Sequence, residues 1–144
     1  MNAVPVTILL IEDDPGHARL IEKNVRRAGV ANAITHVVDG TSAMAHLFDR
    51  GEAIKADPML VLLDLNLPDM SGTDILARIK ADPVLKRTPV IVLTTTDDRQ
   101  EIQRCYDLGC NVYITKPVEY EGFASAIRQL GLFLTVMQVP EPAC

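Results

Sequence analysis

The sequence is short of several things, and each shortage excludes a class of function. Its three cysteines, Cys105, Cys110 and Cys144, form no CxxC pair, which argues against a thiol redox motif or a cysteine-rich zinc site and suits a reducing compartment. Cys105 and Cys110 read as small residues in and just after a helix, not as half of a metal site. No apolar run approaches the roughly 18 residues that cross a bilayer, and Met1–Thr7 lacks the charged segment that opens a secretion signal. The expectation is a soluble, cytoplasmic protein with no membrane partner. Basic clusters are missing as well. The net charge is −5, without the electropositive footprint that nucleic acid requires, so direct nucleic-acid binding is not expected. Ile11–His17 holds a single glycine, too few for a dinucleotide-binding loop. Internal repeats and low-complexity stretches are absent too.

What is there is a strongly patterned chain. Hydrophobic residues make up 48% of 144, enough to bury the core of one domain. Residues 1–144 read as that single domain, with a core of about 6–133 and a tail of about 135–144 whose end, Val139–Cys144, carries two prolines and is expected to fray. Five apolar runs, Val6–Ile11, Ala33–Val38, Met59–Leu63, Pro89–Leu93 and Val112–Thr115, alternate with amphipathic segments. That rhythm predicts an α/β domain with a parallel sheet covered on both faces. Ala33–Val38 is the least apolar run and reads as an edge strand.

Helix signals fall between the runs. Asp14 offers an N-cap and Pro15 sits at the first helical position, with Leu20, Ile21, Val25 and Ala28 as the apolar face and Gly29 as the stop. Thr41 or Ser42 is expected to cap a second helix through about Phe48, followed by a polar connector, Asp49–Pro58. The third helix is predicted over Gly72–Ala81, with Ile75, Leu76 and Ile79 inward. Thr94–Asp97 would cap a fourth, about Asp98–Leu108, ended by Gly109, and a fifth runs from Tyr120 to about Leu134.

Four strands end abruptly in polar groups: Glu12 and Asp13 after the first, Asp64 after the third, Thr94 after the fourth and Lys116 after the fifth. In an open parallel sheet, chemistry gathers beyond the carboxyl ends of the strands. Meeting there, three carboxylates, a hydroxyl and an ammonium make a divalent-metal and phosphoryl-transfer site. Mg2+ prefers oxygen ligands and keeps several waters. Asp13 and Asp64 are candidate direct ligands, Glu12 a ligand through water, and the backbone carbonyl of Asn66 completes the set; Mn2+ can substitute. Without metal or lysine, three crowded carboxylates would raise one another's pKa; with both, all three stay ionised and Asp64 is a competent nucleophile toward phosphorus. Metal and ammonium would then neutralise charge on the transferring group, and the Thr94 hydroxyl would donate to it.

The segments Ile8–Asp14, Leu62–Pro68, Val92–Thr94 and Thr115–Pro117 closely resemble those of the receiver domains of two-component response regulators, a resemblance that covers roughly residues 6–133. It implies a flavodoxin-like (βα)5 fold with strand order 2-1-3-4-5. It also implies that Asp64 is the phospho-acceptor, Glu12 and Asp13 the metal acids, Lys116 the phosphoryl-contacting lysine and Thr94 the switch hydroxyl. Tyr113 matches the aromatic that turns inward when that hydroxyl moves. Phosphorylation is then expected to repack the face made by helix four, strand five and helix five and so signal to a downstream partner, which the sequence does not name. Asn66 and Thr96 occupy positions linked to phospho-lifetime, and Thr95 stands where a smaller residue is common and is expected to narrow access. With no output domain after the fifth helix, the chain resembles stand-alone receivers. Asp14–His17, Asp82–Thr88 and Lys116–Glu119 are further similar to regulators paired with bacteriophytochrome kinases, which implies a red-light sensor histidine kinase as donor and homodimerisation through the switch face. The apolar segment Leu130–Val136 points toward a dimer as well.

Two other functions compete. A phosphatase using an aspartyl-phosphate needs a general acid two residues after its nucleophile; here that residue is Asn66, and the nucleophile follows the third strand, not the first. A docking or oligomerisation module acting without phosphorylation would not need all five pocket residues. The chain is therefore expected to phosphorylate and dephosphorylate itself without turning over an external substrate. His17, near the crevice, reads as solvent-facing because acyl-phosphate chemistry on a carboxylate needs no general base. His36 and His46 read as surface residues.

Overall fold

The computed structural model describes residues 6–49, 58–117, 121–122 and 124–129. Along the chain lie β1 (Thr7–Ile11), α1 (Pro15–Arg27), β2 (Ile34–Val37), α2 (Gly40–Phe48), β3 (Met59–Leu63), α3 (Gly72–Ala81), a 3-10 turn at Leu85–Arg87, β4 (Val90–Thr94), α4 (Arg99–Leu108) and β5 (Val112–Thr115). Residues 121–122 and 124–129 are also helical. All strand pairs are parallel, in the order β2-β1-β3-β4-β5. This is the flavodoxin-like arrangement expected from the sequence, with the less apolar β2 at one edge.

The central strands β3 and β4 are buried along their whole length, which is why their sequences are continuous apolar runs and do not alternate. The strand period of two sorts their residues between two layers. Leu9, Ile11, Val61, Leu63, Val90 and Val92 pack with Ala43 and Leu47 of α2, Ile75, Leu76 and Ile79 of α3 and Cys105 of α4. Ile8, Leu10, Leu60, Leu62, Ile91 and Leu93 pack on the other face with Ala18, Ile21 and Val25 of α1 and with Ile127. Cys105 and Cys110 are buried free thiols, in keeping with their reading as small core residues.

Two helix starts differ from the sequence expectation. Asp39, not Thr41 or Ser42, caps α2, accepting from the Ser42 N–H at 2.7 Å. Thr41 is drawn elsewhere: its N–H and hydroxyl both donate to Asp69 Oδ2, at 2.8 and 2.6 Å, while Gly40 N–H donates to Asp69 Oδ1 at 2.7 Å. Asp98, not Thr94–Asp97, caps α4, because the threonine hydroxyls there face the loop after β3. Asp14 caps α1 as expected, and Gly109, at φ 110°, closes α4 in the left-handed region. Most of the connector Asp49–Pro58, part of the expected fifth helix, the tail and the segment Leu130–Val136 lie outside the described residues.

Gly72 sets how closely α3 approaches the end of β3. A Cβ there would lie 2.6 Å from both the Asp64 carbonyl oxygen and the Leu65 Cα, backbone atoms that have no rotamer to escape into. Gly72→Ala is expected to lower unfolding stability by about 2 kcal/mol, as measured by urea titration; a midpoint equal to wild type would show that the loop yields freely.

Candidate functional site

The carboxyl ends of β1, β3, β4 and β5 carry the site, and the ladder continues into it. Glu12 N–H donates to Val37 O at 3.0 Å, Asp64 N–H to Ile11 O at 3.0 Å and Lys116 N–H to Thr94 O at 2.6 Å. The site's backbone is thus fixed by sheet pairing before any side-chain contact forms. Glu12, Asp64, Thr94 and Lys116 are all buried; Asp13 is exposed.

Lys116 is the hub. Its ammonium donates to Glu12 Oε1 and, at 3.1 Å, to Asp64 Oδ2. Asp64 Oδ1 accepts from the Thr94 hydroxyl at 2.8 Å and from the Asn66 N–H at 3.0 Å. Carboxylate oxygens of Glu12, Asp13 and Asp64 lie within 4.8 Å of one another. Three hard oxygen donors at that spacing suit a hard divalent cation. Residues 65–71 with Asp13 line an open cavity of about 590 Å³ beside them.

Asn66 connects this cluster to the start of the β4–α4 loop. Its side-chain N–H2 donates to the hydroxyls of Thr94 and Thr95, each at 3.3 Å, and of Thr96 at 3.1 Å. Tyr113 is half-buried against the α2–α4 layer, and its hydroxyl donates to the Thr96 carbonyl at 2.6 Å. Every candidate site residue therefore falls in one connected region.

Two histidines were read too simply. His17 Nδ1 lies 3.2 Å from Lys116 Nζ and does not simply face solvent. His36 Nε2 is 2.7 Å from the Glu12 backbone oxygen, because Leu10 and His36 are paired in register across β1 and β2. A parallel sheet was visible in the run pattern and the strand order followed from the family resemblance, but the register that aims His36 at Glu12 was in neither.

Burial pushes the Glu12 carboxyl up to about 8, against the pull of the Lys116 ammonium. Asp64 goes the other way. Burial raises it, but the Asn66 N–H, the Lys116 charge and the hydrogen bonds with Glu12 and Lys116 together hold it below the usual range. The two acids bonded to one lysine are thus pushed in opposite directions.

The response regulator receiver domain family matches residues 8–128. The chain belongs to that family. Among solved structures, a response regulator receiver domain from Rhodospirillum rubrum is 64% identical, with a TM-score of 0.91, covering 96% of this chain and 99% of that one. The phosphorylated cyanobacterial phytochrome response regulator RcpA is 39% identical at a TM-score of 0.84, covering 94% and 98%. Response regulator Rcp1 of Synechocystis is 41% identical over 113 residues, 78% of this chain and 77% of Rcp1. The Mn2+-bound form of Rcp1 superposes with a TM-score of 0.85 at 33% identity, covering 94% and 99%. This receiver thus sits among homologues tied to phytochrome signalling, and no helix among its described residues is long and apolar enough to cross a membrane.

In metal-free receiver, carboxyl carbon NMR is expected to show Glu12 ionising around pH 8 and Asp64 ionised throughout the neutral range. Since the raised acid keeps its proton below that value, the Glu12 signal should move between pH 7 and 9 while Asp64 stays still. A Glu12 titration completed by pH 5 would contradict the burial argument.

Proposed function

We propose that this receiver is a phosphorelay switch in which Asp64 accepts a phosphoryl group from the histidine of a sensor kinase. The observation that carries the reading is the buried Asp64 carboxylate held by Lys116, Thr94 and the Asn66 N–H beside two further acids. In the transfer, an Asp64 carboxylate oxygen bonds to phosphorus while the phosphorus–nitrogen bond breaks and its electron pair returns to the donor imidazole. Asp64, held ionised, needs no base to act as nucleophile. Lys116 and Thr94 are placed to take up the charge on the transferring oxygens.

Glu12, Asp13, Asp64 and the Asn66 carbonyl would hold Mg2+, with Mn2+ able to replace it, as the Mn2+-bound Rcp1 suggests. The ion would supply positive charge to the phosphoryl oxygens and leave this chain's residues to orient them. Hydrolysis of the aspartyl-phosphate would reset the switch without turnover of an external substrate. Thr94 moving toward the phosphoryl group would change the β4–α4 loop and Tyr113, and with them the α4–β5 face that signals to a partner or a second copy. The phytochrome-associated homologues favour a phytochrome-type kinase as donor, and membership of the receiver family is consistent with a cytoplasmic setting.

With acetyl phosphate and Mg2+, intact mass is expected to show one added phosphoryl group on wild type. None should appear on Asp64→Asn or without metal. No adduct from either acetyl phosphate or a purified kinase would favour a docking module that works unphosphorylated. Thr96→Ala, which removes one of the hydroxyls holding Asn66 over the acceptor, is expected to shorten the phospho-lifetime about threefold. An unchanged decay rate would retire that role.

A further inference from the structure

The approach of His17 to Lys116 is unexplained by the acceptor chemistry alone. A lysine ammonium has three N–H donors and no acceptor. Three acceptors surround this one: Glu12 Oε1, Asp64 Oδ2 at 3.1 Å and His17 Nδ1 at 3.2 Å. Facing an ammonium, Nδ1 must offer its lone pair, which puts the imidazole proton on Nε2. The side chain is 40% exposed, so the ring spans from the buried lysine to the surface.

Local sequence delivers the ring there. Pro15 opens α1, and Asp14 Oδ1 accepts from the N–H groups of Gly16 and His17 at 2.8 and 3.1 Å. That fixes the first turn directly after Glu12 and Asp13. Side chains of a helix lean toward its N-terminus, so His17 leans back over the carboxyl end of β1, where Glu12 and Lys116 meet. Asp14 Oδ2, at 3.9 Å from the same Nδ1, is too distant for a hydrogen bond.

We propose that His17 is a positioning residue for Lys116, an uncharged third acceptor that keeps the ammonium over Asp64 while its other two acceptors change role. The inference deepens the reading of Asp64 as phospho-acceptor and rests on it. During transfer, Glu12 would turn toward the cation, and the Asp64 oxygen that bonds to phosphorus becomes the bridging oxygen of an acyl phosphate, a much weaker acceptor than a carboxylate oxygen. His17 undergoes neither change. Being neutral, it anchors the lysine without cancelling the charge that must meet the phosphoryl oxygens.

The test compares wild type, His17→Ala and His17→Asn, since the asparagine Oδ1 stands where Nδ1 stood. At saturating Mg2+ with acetyl phosphate as donor, His17→Ala should lose about tenfold in maximal phosphorylation rate with an unchanged half-saturating donor concentration, and His17→Asn should stay within about twofold of wild type. In metal-free protein, the 1H–15N signal of the Lys116 ammonium should be sharp in wild type and His17→Asn and broadened by solvent exchange in His17→Ala. Thermal melts check that all three fold. Equal rates and equal signals in His17→Ala and wild type would overturn the role of His17 alone. A wild type that takes no phosphoryl group would overturn the acceptor reading, and this inference with it.

Discussion

One buried ammonium organises the end of this sheet. Glu12, Asp64 and Lys116 are each at most 6% exposed, and charges so placed survive only in company. Removing one partner of a buried pair typically costs about 3–5 kcal/mol, because the charge left behind has lost both water and its counter-ion. Lys116 lies 104 residues from Glu12 and 52 from Asp64, on a strand that pairs with neither of theirs. The lysine can satisfy both acids only if β5 lies beyond β4, β4 beyond β3 and β3 beside β1. The strand order and the site are therefore two aspects of one constraint. A sheet assembled in another order would strand these charges.

Most of this was legible because buried strands that end in polar groups are costly unless those groups meet. The strand runs, the third helix and the gathering of Glu12, Asp13, Asp64, Thr94 and Lys116 all followed from that pattern. What was not legible depends on side-chain reach and register. Thr41 is a good cap by type, but Asp69, brought alongside by the loop after β3, takes its N–H and hydroxyl, and the cap falls to Asp39. Thr94, Thr95 and Thr96 also look like caps, yet their hydroxyls lie within reach of Asn66. His17 and His36 carry no sequence pattern of their own. Only the helix start at Asp14 and the β1–β2 register decide what they touch.

The same loops make the site continuous with the protein's surface. From Asp64 the hydrogen bonds run through Thr94 and Asn66 to Thr96, and from the Thr96 carbonyl to the Tyr113 hydroxyl. No member is more than one bond from its neighbour, and the network passes from a buried carboxylate to a half-buried aromatic on an edge strand. Asp69 provides a second tie, fastening the loop after β3 to the start of α2. Asp64 is thus bracketed by two loops, one tied to α2 through Asp69 and the other to β5 through Tyr113. A change in its bonding has a physical route toward α4 and β5 on one side and toward α2 on the other.

At the far edge of the sheet, the Tyr113 backbone N–H, on the side of β5 that no strand among the described residues covers, donates to the Tyr106 hydroxyl at 3.1 Å. An open strand edge is a template on which another chain can add itself. Here the middle of that edge already has a partner, supplied by a side chain of the helix that leads into it. A stranger's strand would have to displace the tyrosine to pair along the middle of that edge. That favours contacts of this face through side chains over zippering of backbones, and so guards the strand edge against aggregation.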